Sequence, residues 1–189
     1  MELLTKTRKA KTMSKEDFET IKIKDGMVDI KYYHDLAQQK HQEHEKFLAT
    51  LRKKKPKHLD KIVKETHQEI FDVVDCTKCA NCCKDLGPLF TEADIERIAK
   101  AFRMHLGHFE DAYLRVDEDG DKVFKCMPCP FLGSDNLCTI YPIRPKACRE
   151  FPHTDRKKIY QINHLTIQNT LYCPAAYLFV ERLKEKLGY

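Results

Sequence analysis

Apolar residues recur at three- and four-residue steps in two early stretches of the chain, and both read as helices. Between about 28 and 52, Ile30, Tyr33, Ala37, His41, His44, Leu48 and Leu51 fall on one helical face. Pro56 ends that stretch, because proline has no N–H and its ring collides with the preceding turn. A second helix is expected from about 57 to 74, with Leu59, Ile62, Val63, Thr66, Ile70, Val73 and Val74 on its face. Together they read as an antiparallel helical hairpin. Ahead of them, residues 1–25 are polar and charged, with a short helix start at Ser14-Lys-Glu-Asp-Phe18, and they read as an arm or a loosely docked helix.

The pattern weakens towards the middle. Thr91-Glu-Ala-Asp94 has the form of a helix N-cap with an acid in the first turn. Ile95, Ile98, Ala99 and Phe102 then supply a buried face, and a short helix near 105–114 carries Leu106, Phe109, Ala112, Tyr113 and Leu114. Asp119-Gly120 between two short β-like arms predicts one hairpin. Its acids do not form an EF-hand loop: with Gly120 at position six, Arg115 falls at position one and Cys126 at position twelve. From Cys126 to Cys148 the chain is rich in Pro and Cys and has little period. Residues 175–187 read as a closing amphipathic helix, with Ala176, Leu178, Phe179, Leu183 and Leu187. The expected fold is mainly α: a small helical domain with an irregular, cysteine-rich, metal-stapled centre and one short β-hairpin. The expected division is an N-terminal arm and helical hairpin over 1–75, then a cysteine-cluster metal-binding domain with a C-terminal helix over 76–189.

The cysteines give this outline its chemistry. All nine lie after residue 75, and four fall within Cys76-Thr-Lys-Cys79-Ala-Asn-Cys82-Cys83, a C-x2-C-x2-C-C pattern. The N-terminal residues lack the apolar run of a secretory signal, and no segment is apolar enough to span a membrane. A cytoplasmic location follows, in which thiols stay reduced. An odd cysteine count also argues against a fully disulfide-paired domain. Reduced thiolates at this density are ligands for zinc or iron–sulfur.

Each C-x2-C places two thiolates on one tight turn. Cys83 departs from a ferredoxin-type run because it follows Cys82 directly. Adjacent side chains diverge by about 100° in a helix and point oppositely in a strand. Cys82 and Cys83 therefore serve different sites or two ends of a larger one. The remaining ligands must come from Cys129, Cys138, Cys148 and Cys173.

These blocks resemble the zinc- or iron-chelating CxxCxxCC family, also called YkgJ-like cysteine-cluster proteins. The resemblance is carried by Cys76–Cys83, by Cys129-Pro-Phe-Leu132 with Cys138-Thr-Ile-Tyr141, by Arg144-Pro145 through Cys148-Arg149 to Phe151, and by Cys173. It implies zinc or iron binding, the latter often as an iron–sulfur cluster, through Cys76, Cys79, Cys82, Cys83, Cys129, Cys138, Cys148 and Cys173. Cys126 lies outside the pattern. The family also includes flagellin lysine N-methylases. Four thiolates around Zn2+, or around an oxidised cubane, leave a charge of about −2. Arg144 and Arg149 are placed to offset it as cofactor-binding residues. Phe131, Tyr141 and Phe151 are candidates for an apolar shell, or for ordinary core packing.

Other chemistry is poorly supported. His41 and His44 share a helical face, but no H-E-x-x-H accompanies them; His153 is the one alternative ligand worth testing. The six glycines form neither G-x-G-x-x-G nor a phosphate loop, and neither Ser14 nor Ser134 sits in a nucleophile elbow. Residues 1–75 carry 17 Lys/Arg against 14 Asp/Glu, and the remainder 17 against 15, so the net +5 is thin and spread. That pattern argues against nucleic-acid binding, and the basic run Arg52-Lys53-Lys54-Lys55 with Lys57 reads as a solvated turn between helices. Three function classes remain. They are a structural zinc module that binds a protein partner through the N-terminal helices, a metal carrier, and an iron–sulfur component of a redox or methyl-transfer reaction.

Overall fold

Asp29 accepts a hydrogen bond from the Tyr32 N–H and so starts the first helix, α1 (Ile30–Gln39). The computed structural model describes residues 23–24 and 27–189. The helix start expected at Ser14–Phe18 lies outside the described residues. The single helix expected over 28–52 is two, because the ladder breaks at Lys40 and resumes as α2 (His41–Lys54). Lys55, in the left-handed region, stops α2, and Pro56 keeps it stopped. α3 (Leu59–Phe71) buries Leu59, Val63, Thr66 and Ile70.

The expected hairpin is not a closed pair. Its helices pack chiefly against two C-terminal ones, α9 (Asn163–Tyr172) and α10 (Pro174–Lys186). α10 runs along α3, while α9 lies against α1 and α2. The closing helix was expected to be amphipathic; instead every residue from Pro174 to Lys184 except half-buried Glu181 is buried. Its charged residues reach that position because they are paired. Arg182 and Lys186 bind Glu69, and Lys184 binds Glu43 and Glu181. Tyr33, Phe47, Leu48, Leu51, Ile70, Phe179 and Leu183 form the centre of this first core.

A second core occupies residues 90–140. Thr91 and Asp94 form a reciprocal capping box that starts α6 (Glu92–Ala101), after the short helices α4 (Cys76–Cys79) and α5 (Asn81–Asp85). α7 (Leu106–Tyr113) packs on α6 and leads into the expected hairpin, β3 (Leu114–Val116) with β4 (Lys122–Phe124). The two strands are antiparallel, with Leu114 opposite Phe124. Asp117 accepts from the N–H groups of Asp119 and Asp121, so the acidic cluster is a turn. Phe90, Ile95, Ile98, Phe109, Leu114, Phe124 and Phe131 fill this core. Phe102 was expected inside; it is 41% exposed and stacks on Phe131 instead.

A second, smaller antiparallel pair, β1 (Ile23–Lys24) with β2 (Met27–Val28), precedes α1. Short turns connect the remainder: 3-10 turns at Tyr141–Ile143 and Ile159–Gln161, and helix α8 (Lys146–Glu150). The fold is mainly helical with a cysteine-rich centre, as expected. The first core combines residues 33–74 with 159–183. No described helix is long and apolar enough to cross a membrane.

Candidate metal centre

The C-x2-C-x2-C-C run folds as two helical turns. The Asp75 carboxylate caps α4 by accepting from the Thr77 N–H and hydroxyl. Ala80, in the left-handed region, breaks the helix before α5 carries Cys82 and Cys83. Being consecutive on a helix, these two side chains leave the axis about 100° apart.

Long-range hydrogen bonds bring the later cysteines to this run. The Cys129 N–H donates to the Cys83 carbonyl at 2.8 Å. An isolated bridge between Leu132 and Cys138, with the Thr139 N–H donating to the Phe131 carbonyl, folds 129–139 back on itself. Gly133 lets that loop close: an added Cβ would lie 3.2 Å from the Leu137 carbonyl oxygen. The Asn81 amide donates to the Tyr172 carbonyl at 2.8 Å, which ties α5 to the residue before Cys173.

All nine cysteines are free thiols; Cys76 and Cys126 are exposed and the rest half-buried. Packing around the sulfur, even at Cys76, whose residue is otherwise exposed, raises the thiol pKa of Cys76 and Cys129 to about 11, and of Cys148 and Cys173 to about 12. Cys79 and Cys138 rise for the same reason. Cys82 and Cys83 divide a proton between them. The Cys82 thiol donates to Cys83, so Cys82 is pushed up while Cys83 drops to about 7.

The electrostatic effects link the sulfurs in two overlapping neighbourhoods that share Cys83. Charge at Cys76 and Cys79 raises Cys173, and charge at Cys173 and Cys76 raises Cys82. Charge at Cys83 raises Cys129, Cys138 and Cys148, and Cys129 and Cys138 add to the effect on Cys148. Cys83 also acts on Cys76 and Cys79, as its place beside Cys82 requires.

Neighbouring backbone N–H groups partly offset the rise at four of these sulfurs by favouring the thiolate: that of Asn81 at Cys79, of Ile140 at Cys138, of Phe131 and Leu132 at Cys129, and of Ala175 and Ala176 at Cys173. In Cys129-Pro130 and Cys173-Pro174 the intervening proline has no N–H, leaving the next two amides to serve the sulfur.

Arg144 lowers the thiol pKa of Cys76, Cys138 and Cys148, and so touches both neighbourhoods with positive charge. Its guanidinium stacks on Tyr141, 3.8 Å from the ring centroid, and donates to the Tyr141 carbonyl. Arg149 donates to the Arg144 carbonyl at 2.6 Å, so it acts on the backbone that carries Arg144. Lys84 lowers Cys79 and Cys83.

Two further residues position this segment. Arg97 donates to the Ile143 and Arg144 carbonyls, and buried Asp94 accepts from the Lys146 N–H that opens the helix of Cys148. Asp94 thus does more than cap α6, and Arg97, absent from the sequence expectations, is legible only from its i, i+3 spacing to Asp94 on that helix.

Other candidates lie elsewhere. His44 is fully buried against Glu181, whereas His41 faces Glu45. The charges acting on His153 are Glu150, Arg156 and Asp155, with no cysteine among them. Phe131 belongs to the second core, Phe151 is half-buried, and Tyr141 is 47% exposed.

Among the described residues, no three Cys, His, Asp or Glu side chains converge closely enough to hold a metal ion as they stand. The donor set nonetheless fits a thiolate-bound metal in number, chemistry and N–H support. A family model, CxxCxxCC, described as a zinc- or iron-chelating domain, matches residues 75–174, more than half of the 189. The chain belongs to the CxxCxxCC family. Metal chelation by a cysteine cluster is the property that goes with that membership. The match begins at Asp75, which caps α4, and ends at Pro174, just past Cys173, so all nine cysteines of this CxxCxxCC protein fall inside it. No curated protein and no solved structure matches the chain.

Proposed function

We propose that this CxxCxxCC protein holds two four-thiolate metal centres, one seated on each hydrophobic core, and that the metals lock the cores together. Cys76, Cys79, Cys82 and Cys173 form one ligand set; Cys83, Cys129, Cys138 and Cys148 form the other. The observation that carries this reading is the direct succession of Cys82 and Cys83 on one helix, about 100° apart, with the Cys83 carbonyl bonded to the Cys129 N–H and the Asn81 amide bonded to the carbonyl of Tyr172, next to Cys173. It agrees with the packing: Cys173 lies against the first core, and Cys129 and Cys138 lie against the second. Either zinc or an iron–sulfur cluster satisfies four thiolates with a residual charge of about −2, and Arg144 supports both centres. Such a site supplies folding free energy when filled, which favours a structural role over a carrier.

Metal analysis of anaerobically purified protein tests the reading. Wild-type and Cys126→Ser protein are expected to hold two centres, and Cys82→Ser and Cys83→Ser one each. Simultaneous loss of both centres in either single variant would point to one larger site. Broad absorbance near ~400 nm with acid-labile sulfide would assign iron–sulfur, and a colourless protein with two zinc ions would assign zinc. Release of metal to a chelator with the fold intact would favour a carrier.

A further inference from the structure

The basic run of Arg52, Lys53, Lys54, Lys55 and Lys57 does not stand alone in the fold. The Ile159–Gln161 turn packs against α2, and Lys55 Nζ lies 5.5 Å from the centroid of the Tyr160 ring. The Lys158 N–H donates to Asp60 Oδ1 at 2.7 Å. These contacts bring Arg156, Lys157 and Lys158 beside the first run, about 100 residues away in sequence. All eight side chains belong to exposed residues. Among the described residues, none of them has a carboxylate within 4.0 Å.

Two exposed carboxylates border the surface, Asp60, which accepts from the Lys158 backbone, and Asp155, which precedes Arg156; neither pairs with the eight cations, and eight positive against two negative charges leave the surface strongly basic. Placement near the C-terminus of α2 accounts for Arg52, Lys53 and Lys54 as partners of the helix dipole. It does not account for Lys57 or for Arg156–Lys158. The local apolar residues Leu51, Leu59 and Ile159 are all buried, so the surface has no apolar wedge.

We propose that this surface binds the phosphate backbone of duplex nucleic acid without reading its sequence. Six lysines and two arginines offer mostly point charges, which suit phosphates and carry little base specificity. Single strands call for exposed aromatic platforms, and insertion into a membrane calls for exposed apolar side chains. The surface presents neither, since Tyr160 is half-buried. Although the thin, spread charge of the sequence argued against such binding, folding concentrates it. The inference is independent of the metal reading.

Fluorescence anisotropy of the full chain with a labelled duplex DNA or RNA, between 50 and 200 mM salt, tests it. About five phosphate contacts predict a loss of affinity of roughly 500-fold over that range. The Lys53→Glu/Lys54→Glu and Arg156→Glu/Lys157→Glu pairs are each expected to weaken binding at least about tenfold and to flatten the salt slope. Circular dichroism should not change, because the side chains are exposed; Tm should hold for the Arg156→Glu/Lys157→Glu pair and fall only slightly for Lys53→Glu/Lys54→Glu, which sits at the C-terminus of α2. Salt-independent binding, or sensitivity to one pair alone, would overturn the proposal. So would tighter binding to single strands, binding to phosphatidylserine vesicles but not to duplex, or binding to neither.

Discussion

Asp94→Ala removes a single carboxylate that joins two parts of the candidate centre. Its oxygens accept from the Thr91 N–H and hydroxyl at 3.1 and 2.7 Å, from the Lys146 N–H at 3.0 Å, and from Arg97. Loss of the reciprocal cap costs about 1 kcal/mol. An orphaned Lys146 N–H adds about 1–2 kcal/mol. Arg97 is one-third exposed, so water screens the loss of its partner and little more is added. The expected destabilisation is about 2–3 kcal/mol, measured as a lower urea midpoint at unchanged slope. Because Lys146 opens the helix of Cys148, metal affinity should also fall, by about 10- to 100-fold as for other groups that orient ligands. Asp94→Asn keeps one acceptor for the Lys146 N–H and should recover part of both losses. Burial alone would raise the Asp94 carboxyl, but hydrogen bonds from Arg97, Thr91 and Lys146 outweigh it and lower it. Its contribution is therefore present above the ordinary carboxylate range, near ~4, and lost as pH falls through the lower folded value. An unchanged urea midpoint would refute the energetics. Reduced stability with unchanged metal affinity would refute the positioning role.

Three further outcomes follow from the same contacts. Seven of the eight candidate ligands have raised thiol pKa values, so metal uptake near pH 7 should release about one proton per sulfur and tighten as pH rises; a weakly buffered titration counts them. Phe179→Ala empties a fully buried position on α10 and should cost about 3–5 kcal/mol by urea denaturation. Glu181→Ala leaves His44 and Lys184 buried without their shared carboxylate and should cost about 3 kcal/mol. Burial alone would raise Glu181, but bonds from His44, Lys184 and Lys40 hold it far below its usual range. The wild type should therefore keep this contribution until strongly acidic pH.

Where local rules governed the chain, the sequence was readable. Thr91 and Asp94 announced α6, and Asp119-Gly120 announced the hairpin. The direct succession of Cys82 and Cys83 already demanded two directions for their sulfurs. Which cysteine joins which was not readable, because 129–148 has no period and is placed by distant contacts from Asp94, Arg97 and the Cys83 carbonyl. α9 escaped notice because Thr166, Asn169 and Thr170 are buried among its apolar residues; its polar atoms bond backbone carbonyls, as Asn169 does with Pro152. α10 looked like a surface helix because its cations bond acids that lie far away in sequence.

The divided first core has a consequence for the order of assembly. Residues 90–140 contain a complete core in one continuous stretch, so this part can form while synthesis is still under way. Helices α1–α3 cannot complete theirs, because the helix against which they pack is made more than 100 residues later. Until α9 and α10 emerge, Leu48, Val63 and Ile70 lack the helices that complete their burial. Cys173 arrives at the head of that same helix, so the last cysteine of the chain is made together with the helix that covers residues 33–74.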